Sequence, residues 1–181
     1  MAMKQRLSLR GRGVQLLSQR EHSRQELRRK LLQHLRKAQS EAAAPLDAVS
    51  VVETEVEAEV EVEPEDAEQQ VDEVLAWLQD KGYFSEQRFI ESRVHVRESR
   101  YGNLRIRQEL AQHGLALDAD TTAKLKDSEL ARAHEVWQRK FGAPAADVAG
   151  RAKQMRFLSS RGFSPEVIRR VVRGDVDDDV A

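Results

Sequence analysis

The chain lacks cysteine, has only four prolines, and draws just 5% of its residues from the aromatic types. Without cysteine there is no disulfide framework, no thiolate nucleophile and no thiolate-bound zinc, a composition that suits a reducing compartment. No apolar run approaches the roughly 18 residues of a membrane span. The basic opening MAMKQRLSLRGR has neither the apolar stretch nor the small-residue cleavage site of a secretory signal. The expectation is a soluble, cytoplasmic protein. Catalytic signatures are missing as well: there is no Gly-rich phosphate loop ending in Lys-Ser/Thr, no G-x-S-x-G elbow and no His-x-x-x-His pair. Scarce aromatics exclude a row of base-stacking platforms, so any affinity for nucleic acid is expected to be mainly electrostatic. Trp77, at helical spacing from Val74 and Leu78, and Trp137, near Val136 and Phe141, read as core residues.

What the chain does have is charge, and that charge is segregated. The net value of -1 averages +9 over residues 1–40, -14 over 41–80, +7 over 81–170 and -3 over the last eleven. Basic modules of this kind attract polyanions or an acidic protein surface.

Apolar residues recur mostly at intervals of three and four, the helical period, which predicts an all-α protein. Ser23-x-x-Glu26 is a capping box ahead of Leu27, Leu31 and Leu35. Ser85 reads as a second cap, with Phe84 and Phe89 at the positions of a hydrophobic staple. Phe163, Ser164, Pro165 and Ile168 repeat that design, with proline at the first helical position. Gly82, Gly114 and Gly162 each follow a basic or histidine residue and precede an apolar one, as left-handed helix ends do. Valine at Gly162 is expected to cost about 1–2 kcal/mol for that backbone region alone. This punctuation predicts about nine short helices of roughly 10 to 15 residues each.

The helices repeat. Placing Ser23 on Gly102 aligns SRQELRRKLLQH with GNLRIRQELAQH, so that Leu27 meets Ile106, Leu31 meets Leu110 and His34 meets His113. A third copy places Gly102 on Gly150 and Leu110-x-x-x-Gly114 on Leu158-x-x-x-Gly162. The expected architecture is therefore tandem three-helix repeats stacked into an elongated, curved solenoid. Its first repeat comprises two helices in residues 1–40 and a third in 67–82, around an acidic insert at 41–66; the second and third repeats are 83–126 and 127–174, and 175–181 is an acidic, frayed tail. Within the insert Glu occupies every second position from Glu53 to Glu63. A solvated acidic linker, a hairpin and a helix all remain open there.

Among titratable residues the histidines are scattered, and the equivalence of His34 and His113 points to a shared structural place. Arginines are more informative. At about 100° per residue, Arg93, Arg97 and Arg100 share one side of their helix with Phe89 and Ile90. Three cations on one arc call for more buried carboxylates than the neighbouring segments offer, which leaves inter-repeat ion pairs and an exposed basic face both open. Arg28 and Arg107, at equivalent repeat positions, are expected to pair structurally with carboxylates. The candidate surface for a partner or for DNA comprises Arg24, Arg28, Arg93, Arg97, Arg100, Arg105, Arg107, Lys153 and Arg156.

Four capped motifs in order carry a resemblance. Ser23-x-x-Glu26-Leu27-x-x-Lys30-Leu31 is followed by Leu78-x-x-x-Gly82-Tyr83-Phe84-Ser85-Glu86-x-x-Phe89. Then come Gly102-x-x-x-Ile106-x-x-Glu109-Leu110-x-x-x-Gly114-Leu115 and Leu158-x-x-Arg161-Gly162-Phe163-Ser164-x-x-x-Ile168. Together they run from Ser23 to Ile168 and resemble the RecX family of recombination regulators, a resemblance that covers essentially residues 6 to 172. The resemblance implies a non-enzymatic protein of tandem three-helix repeats. It also implies binding to RecA recombinase and its filament on DNA, suppression of RecA activities, and a role in DNA repair and the SOS response. RecA and, through phosphate contacts, DNA are the expected partners; no cofactor, metal or small-molecule substrate is expected. The long acidic insert departs from the family pattern. An independent helical-repeat protein that tracks nucleic-acid phosphates is the alternative.

Overall fold

The computed structural model describes residues 7–42 and 64–174, and among these it contains eight α-helices and no strand. In order they are α1 (Leu9–Gln19), α2 (Arg24–Ala42), α3 (Pro64–Asp80), α4 (Glu86–Glu98), α5 (Asn103–Ala111), α6 (Ala119–Phe141), α7 (Val148–Ser160) and α8 (Pro165–Arg173). Most of the acidic insert and the acidic tail lie outside the described residues. The chain divides into two compact units, Met1–Glu86 and Gln87–Ala181.

In the first unit three helices enclose one apolar core. Ser8 and Ser23 cap α1 and α2: the Ser8 hydroxyl accepts the Gly11 N–H at 3.2 Å, and the Ser23 hydroxyl accepts that of Glu26 at 3.2 Å. Ser23 thereby sets the phase that turns Leu27 and Leu31 inward, where both are fully buried against Leu16 of α1, Val71, Val74, Leu75 and Leu78 of α3, and Phe84. Each such leucine contributes on the order of 1.5–3 kcal/mol by leaving water. Leu35, the next residue of the expected stripe, is only half-buried. Trp77 packs half-buried against this core, with Tyr83 at 5.8 Å and the Arg10 guanidinium over its ring at 5.2 Å.

The entry to α2 holds a buried histidine. His22 is 1% exposed, with Nδ1 3.2 Å from a Glu26 carboxylate that Arg20 also engages. Burial pushes the His22 pKa below its ordinary 6.5, helped by Arg20 and Lys30 and opposed by Glu26. Burial alone would raise the Glu26 pKa, but Arg20 and His22 outweigh it and hold the group below 4.5. The unfolded chain therefore takes up a proton at His22 before the folded chain does, and stability falls as pH drops through 6.5 toward the folded value. The Glu26 contribution persists above 4.5 and is lost only as pH falls through its lower folded value. Between about pH 7 and 5 the thermal midpoint is thus expected to fall more in the wild type than in His22→Gln; equal shifts would contradict this assignment.

In the second unit the apolar residues form two clusters. Phe89, Ile90, Val94, Ile106, Leu110 and Leu125 make one, and Ala133, Val136, Trp137, Leu158, Phe163, Ile168, Val171 and Val172 make the other. Helix α6 contributes to both because it runs unbroken for 23 residues across position 126/127. Its sequence offers no Gly or Pro to interrupt it, and Ser128, which could have capped a new helix, instead donates back to the Lys124 carbonyl at 2.9 Å. Two expected helices are therefore one, and eight described helices stand where about nine were anticipated.

Repeat correspondences hold at the helix ends. Leu110 and Leu158 are fully buried, and Gly114 and Gly162 follow them at φ 72° and 80°, as Gly82 follows α3 at 72°. The correspondence of Gly102 with Gly150 fails at the helix starts. Gly102 is the N-cap of α5, whereas Gly150 is the third residue of α7, whose cap is the Asp147 carboxylate. Aspartate supplies an acceptor that glycine cannot, and α7 starts earlier as a result.

The α4–α5 and α7–α8 turns meet backbone to backbone. The Gly102 and Leu104 N–H groups donate to the carbonyls of Arg161 and Gly162, each at 3.0 Å. A Cβ on Gly102 would lie 2.3 Å from the Gly162 oxygen, so this approach requires glycine.

Candidate functional site

Two polar residues of α6 hold this junction. Glu129, 4% exposed, accepts the Asn103 N–H at 3.0 Å and the Ser164 N–H at 3.2 Å through the same carboxylate oxygen. One buried anion thus serves the N-termini of both α5 and α8, where the helix dipoles favour negative charge. One turn on, Arg132 donates to the carbonyls of Glu98 (3.1 Å), Tyr101 (2.9 Å) and Leu125 (2.9 Å), and to the Asn103 side-chain oxygen (2.6 Å). Burial lowers the Arg132 pKa, opposed by Glu129 and Glu98. Together these side chains fix the α4–α5 turn, which carries Arg100 and joins the two helices that carry Arg93, Arg97, Arg105 and Arg107.

The candidates separate into tethered and exposed groups. In the first unit Arg28 pairs as expected, donating to Asp72 at 3.0 Å and Glu68 at 2.9 Å on α3. Its hydrogen bonds to Asp72 first and Glu68 second hold the guanidinium above its ordinary pKa. In the second unit one carboxylate satisfies two cations: Arg97 grips Glu109 with Nε at 2.9 Å and Nη2 at 3.0 Å, and Arg93 Nη1 lies 3.3 Å from the same group. The Glu109 hydrogen bonds keep Arg97 above its usual pKa, against the effect of burial. Arg93 also lies over the Phe89 ring at 5.1 Å.

Arg24, Arg100, Arg105, Arg107, Lys153 and Arg156 are exposed. Arg107 corrects an expectation, because it forms no ion pair with any described residue. The repeat position that faces Asp72 and Glu68 in the first unit faces, at Arg107, an open groove of about 780 Å³ shared with Leu104, Lys126, Glu166 and Arg170. Around Tyr101, three guanidinium groups gather within 6.0 Å of the ring centre, those of Arg97, Arg105 and Arg161. On α7 Lys153 lies four residues before Phe157 and eight before Arg161, the C-cap of that helix, and so shares their face.

Residues beyond the expected set complete a basic pocket. Ser99, Arg100, Val136, Arg139, Lys140, Phe157 and Arg161 line a cavity of about 310 Å³. Arg139 Nη2 donates to the Ser99 carbonyl at 3.1 Å, and Arg161 Nη1 to the Arg100 carbonyl at 3.4 Å. Arg139 and Lys140 had no sequence signal, since an exposed cation near a helix end is common, and Arg161 was legible only as the basic residue ahead of Gly162. Glu129 had one: it interrupts the apolar stripe Leu125, Ala133, Trp137 at four-residue spacing, where a charge must find buried partners. His34 and His113 play packing roles: His34 Nε2 lies 3.1 Å from the Leu7 carbonyl, and His113 stands edge-on to Phe89 at 5.1 Å.

The chain matches the family model described as RecX, second three-helix domain, over residues 85–119, and that described as RecX, third three-helix domain, over 127–172. The second match begins inside α6, so the continuous helix bridges the two. Along most of its length the chain is similar to proteins named regulatory protein RecX. It is 44% identical to that of Ralstonia nicotianae over 173 residues, covering 94% of this chain and 90% of the relative. It is 42% identical to that of Leptothrix cholodnii (92% and 88% covered) and 39% identical to that of Pseudomonas putida (95% and 94% covered).

Proposed function

The chain belongs to the RecX family of non-enzymatic regulatory proteins, and from that premise we propose that it binds RecA recombinase and its filament on DNA and inhibits the recombinase, ATPase and coprotease activities. Through this inhibition it modulates DNA repair and the SOS response in the cytoplasm. The observation that carries the reading is the length of the similarity, which takes in 94% of the chain rather than one short motif. No helix among the described residues is long and apolar enough to cross a membrane.

The structure supports a division of labour among the candidate cations. Arg28, Arg93 and Arg97 are tied to carboxylates and serve mainly to position helices. Arg100, Arg105, Arg107, Lys153 and Arg156 are exposed on the second unit and are the residues offered to the filament and its DNA, with Arg24 on the first unit. Arginine suits such a surface because one side chain supplies planar contact area and several donors, while long-range attraction speeds docking.

Sedimentation at physiological salt separates this reading from an independent nucleic-acid binder. The protein is expected to pellet with RecA filaments on single-stranded DNA at concentrations at which bare DNA carries down little of it. Equal partition onto bare DNA and onto filament would overturn the RecA reading in favour of the alternative.

A further inference from the structure

We propose that the pocket formed by the α4–α5 turn, α6 and α7 binds the phosphodiester backbone of a nucleic-acid strand. This deepens the DNA-contacting part of the function proposed above; it is measured without RecA, so the two readings fail separately. The pocket brings together four cations, Arg100, Arg139, Lys140 and Arg161, and no carboxylate of a described residue lines it. Nearby acids are engaged elsewhere: Glu98 lies 3.5 Å from His95, and Glu135 lines the separate groove that contains Arg107.

Two of the four cations are also held in place. Main-chain carbonyls of Ser99 and Arg100 each take one N–H of Arg139 and Arg161, which orients both guanidinium planes without neutralising them. A guanidinium carries five donors, so each keeps several for a ligand. Carboxylate tethers would have cancelled the charge; carbonyl tethers preserve it. Arg161 is braced further by the rings of Phe157 at 5.1 Å and Tyr101 at 5.6 Å. By contrast Arg97 and Arg93, one and two turns back from Arg100, share the single carboxylate of Glu109, which offsets one of their two charges.

Size and chemistry select the ligand. A cavity of about 310 Å³ cannot admit a partner helix, whose diameter with side chains is about 10–12 Å. A phosphate and its sugar fit, with the Phe157 side chain available to the apolar face of the sugar. Lys153, on the Phe157 face of α7, continues the basic track beyond the pocket. A strand carrying a negative charge at every nucleotide can engage all these cations at once, without any base being read.

The test is anisotropy of a fluorescein-labelled 20-nucleotide oligothymidylate with the full chain, across 50–200 mM NaCl. In the triple variant Arg100→Ala, Arg139→Ala, Lys140→Ala, the slope of log K against log salt should become shallower by about 2, at about 0.7 per lost phosphate contact on a single strand. Affinity at 50 mM NaCl should fall by roughly tenfold or more. Should circular dichroism show the triple variant unfolded, Lys140→Glu serves instead, because Lys140 makes no hydrogen bond or ion pair with a described residue. An unchanged slope and affinity in the folded variant overturn the proposal. So does displacement of the oligonucleotide by a 20-residue polyglutamate as effectively as by unlabelled strand at equal charge, which would make the pocket a site for acidic peptide.

Discussion

Replacing Gly162 with valine should destabilise the second unit by about 3 kcal/mol, well beyond the 1–2 kcal/mol of backbone strain alone. Two effects act at one position. Gly162 holds φ 80°, where a branched side chain collides with its own carbonyl. In addition, a Cβ there would lie 2.5 Å from Arg105 Cβ and 2.6 Å from Arg105 N, the first being the rigid root of a side chain and the second backbone. Neither can move aside without separating the α4–α5 and α7–α8 turns, and overpacking of this kind typically costs 1–3 kcal/mol. Gly82 provides the internal control. It has nearly the same φ, 72°, and a Cβ added there would meet nothing within 4 Å, so Gly82→Val should show the backbone cost only. Thermal melts should place Gly162→Val on the order of 10–20 °C below wild type and clearly below Gly82→Val. Equal midpoints for the two variants would mean that the turns are not in the contact described.

The second large effect is expected at Glu129. Its single carboxylate oxygen accepts the N–H groups that begin α5 and α8, and its charge lies near the partly buried Arg132. Glu129→Leu would leave two amide donors without their acceptor, at about 1–3 kcal/mol each, and would remove the anion that opposes the desolvation of Arg132. The expected loss is about 3–5 kcal/mol. Glu129→Gln keeps an acceptor of the same reach and loses only the charge, so it should lose roughly 1–2 kcal/mol. Denaturant titrations would rank wild type, Gln and Leu in that order. A leucine variant as stable as the glutamine variant would show that the shared cap contributes little.

Much of this fold is legible in the sequence because helix ends are written in local chemistry. Ser23, Ser85, Gly82, Gly114 and Gly162 mark ends whose causes lie within a few residues, and each falls at a helix end in the structure; Ser164 falls at one too, but its hydroxyl makes no cap hydrogen bond and its N–H is taken by the distant Glu129. The error at α6 has the same origin: the repeat pattern places a boundary near 126/127, but no local residue enforces one, and the helix runs on. Less was legible at the site. Helical projection correctly places Arg93 and Arg97 on the packed side of α4, yet it cannot show that Glu109, twelve residues beyond Arg97, takes both. Arg28 and Arg107 look equivalent in sequence and differ in the structure, because their environment is set by the facing helix. The pocket around Arg139 and Arg161 depends on carbonyl tethers across 40 and 61 residues, which no periodicity reveals.

The central claim is that this chain restrains RecA. Its most direct test is the rate of DNA-dependent ATP hydrolysis by purified RecA, with filament length read in parallel, as the full chain is added at physiological salt. ATP turnover should fall and filaments should shorten as the protein is titrated. Turnover and filament length that stay constant up to saturating protein would contradict the account.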